Sequence, residues 1–203
     1  MKIICVGRNY AKHIEELNNE RPEKPVIFIK PDSSRLKNGK PFFYPEHSQD
    51  IHYEAEIVLR VSKNGKHIKP QFALDYVNEI TVGIDFTARD TQSYLKSKGL
   101  PWELSKAFDD SAAIGEFKSL KDYEDIKNIN FSLEKNGQQI QLGNTSMMLF
   151  SIQELISFVS RYFSLKQGDL LFTGTPAGVG PIAIGDTFIG KLENEEVLKT
   201  RVK

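Results

Sequence analysis

Between residues 51 and 61 the chain reads IHYEAEIVLRV. Side chains along a β-strand alternate between faces with period two. Ile51, Tyr53, Ala55, Ile57, Leu59 and Val61 therefore share one apolar face of a predicted strand, and His52, Glu54, Glu56, Val58 and Arg60 share the other. Shorter apolar runs, KIICVG (2–7), VIFIKP (26–31), ITVGIDF (80–86) and GDLLF (168–172), predict further strands. NFSLEKNGQQIQL (130–142) predicts a hairpin turning at Asn136-Gly137, and KNGK (63–66) and the tail from 185 to 203 read the same way. The loop-rich stretch 32–50 carries a turn at Asn38-Gly39.

Helical spacing is clearest in SIQELISFVSRYF (151–163), where Ser151 and Glu154 make a capping box. Ile152, Leu155, Ile156, Val159 and Phe163 form its apolar stripe. PQFALDYVNEI (70–80) places Phe72, Tyr76, Val77 and Ile80 on one side of a helix. TARDTQSYLKSKG (87–99) predicts a polar helix stopped by Gly99. Residues 9–25 begin with helical spacing and then turn polar and Pro-bounded, which suits a short helix in a mobile connection. Strands outnumber helices, and many are joined by hairpin signals. The expected class is a mainly antiparallel, β-rich α+β fold with few helices, forming one domain over 1–203.

Lys plus Arg and Asp plus Glu both number 27, so the balanced charge lacks the basic footprint of a nucleic-acid binder. The single cysteine, Cys5, excludes an intramolecular disulfide framework, suits a reducing compartment and reads as a buried, inert thiol. No signal-peptide pattern opens the chain, and no apolar run approaches the roughly 20 residues that span a bilayer. The expectation is a cytoplasmic protein with neither membrane nor nucleic acid as partner.

Glu54 and Glu56 have a simple reading as the wet face of a half-exposed strand. Against it, Val58 shares their face, and EIVLRV is nearly continuous apolar sequence, as in a strand covered on both sides. Two carboxylates buried together need a counter-charge, and a divalent metal is a natural one. Asp85 ends an apolar strand that holds no other acid, as a strand-end cap or as part of a site. Three carboxylates without a Cys or His cluster would make an all-oxygen site suited to Mg²⁺, Mn²⁺ or Ca²⁺. His13 and Glu16, three apart, share a helical face, which fits a carboxylate-oriented general base or plain solvated surface. TGTPAGVG (173–180) lacks the Lys-Ser or Lys-Thr of a phosphate loop and leaves a backbone anion nest or a tight turn. Lys106, among Trp102, Leu104, Ala107 and Phe108, either snorkels to solvent or faces an anionic substrate together with Arg89 and Gln92.

Taken in order, GRNYAKHIEE, the KP after a buried strand, HYEAEIVLRV, GIDFTARDTQ, KGLPWELSKAFD, MMLFSIQELISFVS and GDLLFTGTPAGVGP resemble the fumarylacetoacetate hydrolase superfamily. The likeness covers nearly the whole chain and is strongest to small single-domain members of the acylpyruvate hydrolase and oxaloacetate decarboxylase or tautomerase type. It implies a β-roll like the fumarylacetoacetate hydrolase C-terminal domain, usually a homodimer. The family's E-x-E pair falls on Glu54 and Glu56 and its later aspartate on Asp85, which would hold Mg²⁺ or Mn²⁺. Its H-x-x-E dyad falls on His13 and Glu16, in a segment that orders as a lid. Arg89, Gln92 and Thr175 match its substrate-side residues, and Lys106 its active-site lysine. The implied activity is hydrolysis of a C–C bond in an acylpyruvate-type β-diketo acid. The alternatives are oxaloacetate decarboxylation or tautomerisation, a hydroxymuconate-type isomerase or decarboxylase, and a non-catalytic keto-acid-binding protein.

Overall fold

The computed structural model describes residues 1–17 and 20–203. Residues 18 and 19, inside the 9–25 connection expected to serve as a lid, lie outside the described residues. The strands are, in chain order, β1 Ile3–Gly7, β2 Val26–Lys30, β3 Arg35–Lys37, β4 Ile51–Tyr53, β5 Ala55–Val61, β6 Val77–Asp85, β7 Thr87–Ala88, β8 Ala112–Ile114, β9 Lys118–Ser119, β10 Asn130–Lys135, β11 Gln138–Asn144, β12 Leu170–Phe172, β13 Gly180–Pro181, β14 Thr187–Leu192 and β15 Glu195–Arg201. Among the described residues four α-helices join them, α1 Ala11–Glu16, α2 Arg89–Ser97, α3 Glu103–Lys106 and α4 Ile152–Tyr162.

The largest sheet runs β2-β1-β12-β5-β6-β8-β3, with β9 also pairing β6. A four-stranded sheet, β11-β10-β14-β15, packs beside it, and β13-β4-β7 make a small third sheet. Most pairings are antiparallel, as the hairpin signals predict; β1 with β12 and β3 with β8 are parallel. The Asn136-Gly137 hairpin has positive φ at both turn residues (54° and 80°), as a two-residue turn that matches strand twist requires. Helix α4 carries the predicted capping box.

Both faces of the large sheet are dry. Ile4, Val6, Ile57, Leu59, Val82 and Ile84 belong to the main core, which extends to Leu155 and Val159 of α4 and to Phe131 and Leu198 of the second sheet. On the opposite face Ile3, Cys5, Val58, Ala112, Ile114, Leu170 and Phe172 form a second cluster. Strands covered on both sides read as continuous apolar runs. Cys5 is buried there as a free thiol, as its apolar run predicts. Glu54 and Glu56 alternate with Val58, so they lie on the face of this second cluster.

Three sequence expectations need correction. The strand over 51–61 is broken at Glu54: β4 pairs with β7 and β13, whereas β5 pairs with β12 and β6. KNGK does not close a hairpin, because β5 and β6 are connected by residues 62–76. Gly65 has a packing reason instead, since a Cβ there would come within 2.4 Å of the Tyr76 ring. The helix expected over 70–80 is a 3₁₀ turn over Pro70–Tyr76, and Val77 onward joins β6. Pairing with β5 gives Val77 and the β-branched Ile80, Thr81 and Val82 a sheet, which overrides local helical spacing.

Glu56 pairs across the sheet with Gly83. A Cβ on Gly83 would meet Val58 Cγ2 at 2.7 Å, Ala113 O at 2.8 Å and Phe172 Cε1 at 2.8 Å. Gly83→Ala is expected to lose about 1–3 kcal/mol of stability through overpacking. Urea unfolding checks this, with a lowered midpoint and an unchanged slope as the expected result.

Candidate functional site

The break at Glu54 places its side chain at the mouth of the large sheet. Glu56 follows as the second residue of β5, and Asp85 closes β6, its backbone N–H donating to Glu54 O at 2.8 Å. All three carboxylates are buried, and each offers an oxygen within 4.8 Å of the others. Sequence reading placed these three acids in one site, and the structure brings them together.

The cations around them come from three different elements. Lys106, the last residue of α3, donates to Glu54 Oε2 (2.7 Å), Asp85 Oδ2 (2.6 Å) and Thr87 Oγ1 (2.7 Å), using all three ammonium hydrogens. It is buried and does not snorkel. Arg89 opens α2 and reaches Glu54 Oε1 at 2.5 Å, and its guanidinium donates to Gln92 Oε1 at 2.6 Å. Lys30, at the end of β2, pairs with Asp85 Oδ1 at 2.7 Å and donates to Ser111 O and Oγ, both at 2.9 Å.

Burial pushes the Glu54 carboxyl up, but the Lys106 and Arg89 charges overcome this and hold it well below the usual carboxylate range. Burial lowers the affinity of Lys106 for its proton, and the Asp85 and Glu54 charges reverse this and raise it. Glu56 differs. Among the described residues its side chain accepts one hydrogen bond, from Gly174 N–H at 2.7 Å, and has no ion-pair partner. Burial and the neighbouring Asp85 charge drive its carboxyl well above the ordinary value. A buried carboxylate without a cation partner leaves its charge uncompensated. Three clustered oxygen donors with no nitrogen or sulfur ligand among them fit a hard divalent ion, so the triad can hold a metal.

The glycine-rich turn after β12 acts as a nest for the protein's own carboxylates. Gly174 N–H binds Glu56, and Gly178 N–H lies 3.1 and 3.2 Å from the two oxygens of Glu16. Glu16 also lies 3.3 Å from His13 Nδ1, which joins the predicted dyad and docks α1 against the turn. His13 is buried, and desolvation lowers its imidazole pKa against the opposing Glu54 and Glu16 charges. Thr175, in the same turn, is buried and lines the cleft with His13, Glu54, Glu56, Asp85, Arg89 and Lys106. His52 stands outside this group, paired with Asp50 at 2.9 Å.

Several residues of the site were not identified from the sequence. Lys30 was legible only as the lysine of the KP motif. Gln141 of β11 is buried; its Oε1 accepts from Ala55 N at 2.8 Å, and its Nε2 donates to Thr175 Oγ1 (2.9 Å) and Pro176 O (3.0 Å). One amide thus ties the backbone between the two glutamates to the glycine-rich turn. Arg8 and Lys96 also line the cleft. Lys96 lies seven residues after Arg89 and four after Gln92, so all three face one side of α2. Burial and the nearby Arg8 and Arg89 charges push Lys96 down to about 8.

Among the described residues, no helix is long and apolar enough to cross a membrane. The family model described as "Fumarylacetoacetate (FAA) hydrolase C-terminal" matches residues 2–202. A mitochondrial oxaloacetate decarboxylase of Dictyostelium discoideum is 43% identical over 185 residues, covering 91% of this chain and 85% of that protein. A mitochondrial oxaloacetate tautomerase of Bos taurus is 37% identical over 201 residues, covering 99% of this chain and 91% of that protein. The crystal structure of fumarylpyruvate hydrolase from Pseudomonas aeruginosa in complex with Mn²⁺ and pyruvate superposes with a TM-score of 0.94 at 35% identity, covering 100% of this chain and 89% of that one. With the β-rich fold and the clustered acids in hand, these matches establish that the chain belongs to the fumarylacetoacetate hydrolase family.

Proposed function

We propose that this protein is a divalent-metal-dependent hydrolase that cleaves a C–C bond in acylpyruvate-type 2,4-dioxo acids. The observation that carries the reading is the His13–Glu16 dyad docked on the turn that also anchors Glu56. Glu54, Glu56 and Asp85 would hold Mg²⁺ or Mn²⁺. A divalent ion bound there supplies Lewis acidity to the carboxylate and 2-oxo oxygens of the substrate.

The chain's own groups account for the remaining chemistry. Glu16 orients the imidazole of His13, and burial keeps that imidazole neutral and able to accept a proton. Arg89 fixes the oxygen of the Gln92 amide, which leaves the amide NH₂ to position a water. His13 removes a proton from that water as its oxygen bonds to the distal carbonyl carbon. The C3–C4 bond then breaks, its electron pair passes into the enolate of pyruvate, the acyl carbon leaves as a carboxylic acid, and His13 returns the proton to C3 of the enolate to give pyruvate. Lys106 and Arg89 place positive charge beside the developing enolate. A second reading, oxaloacetate decarboxylation or tautomerisation, is favoured by the names of the relatives from Dictyostelium discoideum and Bos taurus. The same residues serve it without an attacking water.

Steady-state turnover of acetylpyruvate and oxaloacetate with Mg²⁺ separates the two; fast decarboxylation with no acylpyruvate cleavage would sink the first. Glu56→Gln is expected to abolish Mg²⁺ binding in calorimetry, and unchanged affinity contradicts the metal assignment. His13→Ala is expected to lower kcat on acetylpyruvate by about 10²–10⁴-fold while oxalate affinity holds. Because His13 is shifted downward, the acid limb of kcat/KM is expected below the ordinary imidazole value of about 6.5. Activity from this group falls as pH drops through that limb, and His13→Ala should remove the limb.

A further inference from the structure

In β11 the buried and exposed positions are the reverse of what hydropathy favours. The amide side chain of Gln141 is 2% exposed, whereas its neighbour Leu142 is 61% exposed. A one-residue slip of the strand would exchange the two faces, burying the leucine and returning the amide to water. A bulge holds the register instead. Pairing with β10 passes from Leu133–Gln141 to Glu134–Gln139, which leaves Ile140 as an extra residue. Bulges re-aim side chains, and this one turns Gln141 inward although Gln139, two residues earlier, is exposed. Beside the bulge, β11 approaches the glycine-rich turn so closely that a Cβ on Gly178 would lie 2.5 Å from Ile140 O.

What Gln141 meets there is an unfinished strand edge. β12 covers β5 only from Val58 to Arg60, and Thr173 N adds one bond to Ile57 O at 3.1 Å before the chain turns away at Gly174 (φ 101°). Ala55 N faces the same edge as Ile57 O but lies beyond the end of β12. Gln141 Oε1 accepts from it at 2.8 Å, in the place of a strand carbonyl. Ala55 N–H can only donate and Pro176 O can only accept, so the amide has one orientation, oxygen toward β5 and NH₂ toward the turn. Both NH₂ hydrogens are then used, on Pro176 O (3.0 Å) and Thr175 Oγ1 (2.9 Å). Thr175 Oγ1 is thus an acceptor toward Gln141, and its own proton must point elsewhere. Pro176 O is a poor acceptor for it, at 3.4 Å and already bonded to Gln141. The other direction is the cleft, which Thr175 lines with Glu54, Glu56 and Asp85.

We infer that Gln141 is a positioning residue: its amide occupies the acceptor side of the Thr175 hydroxyl and so fixes that hydroxyl as a hydrogen-bond donor into the cleft, toward an oxygen of the bound ligand. This rests on the reading that a 2-oxo acid binds at the triad. Gln141 itself does not line the cleft and acts through Thr175. A hydroxyl held in one setting before the ligand arrives loses no rotational freedom on binding, so the donor is preorganised. The bulge at Ile140 and the exposure of Leu142 are what this placement of the amide requires.

Oxalate binding to the Mg²⁺-loaded protein, read by calorimetry in a double-mutant cycle, tests the inference. Thr175→Val and Gln141→Met are each expected to weaken oxalate about tenfold, the range of one charge-assisted hydrogen bond. The double variant should fall less than about threefold below either single one, because both changes remove the same donor. Mg²⁺ affinity without oxalate should hold in Gln141→Met, since Glu54 and Glu56 keep their bonds to Lys106, Arg89 and Gly174. A general loosening of the site would weaken both ligands. Gln141→Asn is one methylene too short to span Ala55 N and Thr175 together; it is expected to behave like Gln141→Met and carries the test should the methionine variant not fold. Unchanged oxalate affinity in the Gln141 variants, additive losses, a parallel loss of Mg²⁺ affinity, or failure of both variants to fold overturns the positioning role. Coupled losses in a protein with no acetylpyruvate turnover overturn the proposed reaction and support the positioning role. Failure of oxalate to bind the wild-type protein overturns the reading of a 2-oxo acid at the triad, and the inference with it.

Discussion

Three carboxylates in one dry corner of a β-sheet repel one another, and each loses several kcal/mol of hydration, so cations must be brought to them. Much of the local architecture answers that requirement. Lys30 comes from β2, a strand of the large sheet itself, and Lys106 and Arg89 come from α3 and α2, so three separate elements must converge on the acids. Apolar replacements of a buried ion network are often neutral or stabilising. A network of this size is therefore poor evidence of selection for stability and good evidence of a site. Among the described residues Glu56 is the one acid of the three without a cation partner.

Much of the fold was legible because its signals are local. The capping box of α4, the Asn136-Gly137 turn and the apolar runs of β1, β6 and β12 each follow from residues adjacent in sequence. The break at Glu54 was not legible, since alternation continues through it and only pairing with two different sheets separates β4 from β5. The 70–80 segment failed for the converse reason: its apolar spacing suits a helix, yet β5 offers a sheet to its second half.

The site divides in the same way. Glu54, Glu56, Asp85, His13 and Glu16 stand out as acids in apolar strands or as a pair at helical spacing, and family resemblance sharpened them. Gln141 gave no such signal. In QQIQL it reads as one of several polar residues on a hairpin, and only the packing of β11 against the glycine-rich turn turns its amide inward. Arg8 and Lys96 gave no local signal either, since only the folded chain brings them to the cleft.

The glycine-rich turn has one more consequence. Gly174 grips a residue of the carboxylate triad, and four residues later Gly178 grips the carboxylate that steadies His13. The segment is too short for the two grips to move independently, and Gln141 clamps its middle through Thr175 and Pro176. The placement of α1 and the alignment of Glu56 are thus fixed by one short segment. A change at either grip is therefore passed to the other through a few residues of backbone.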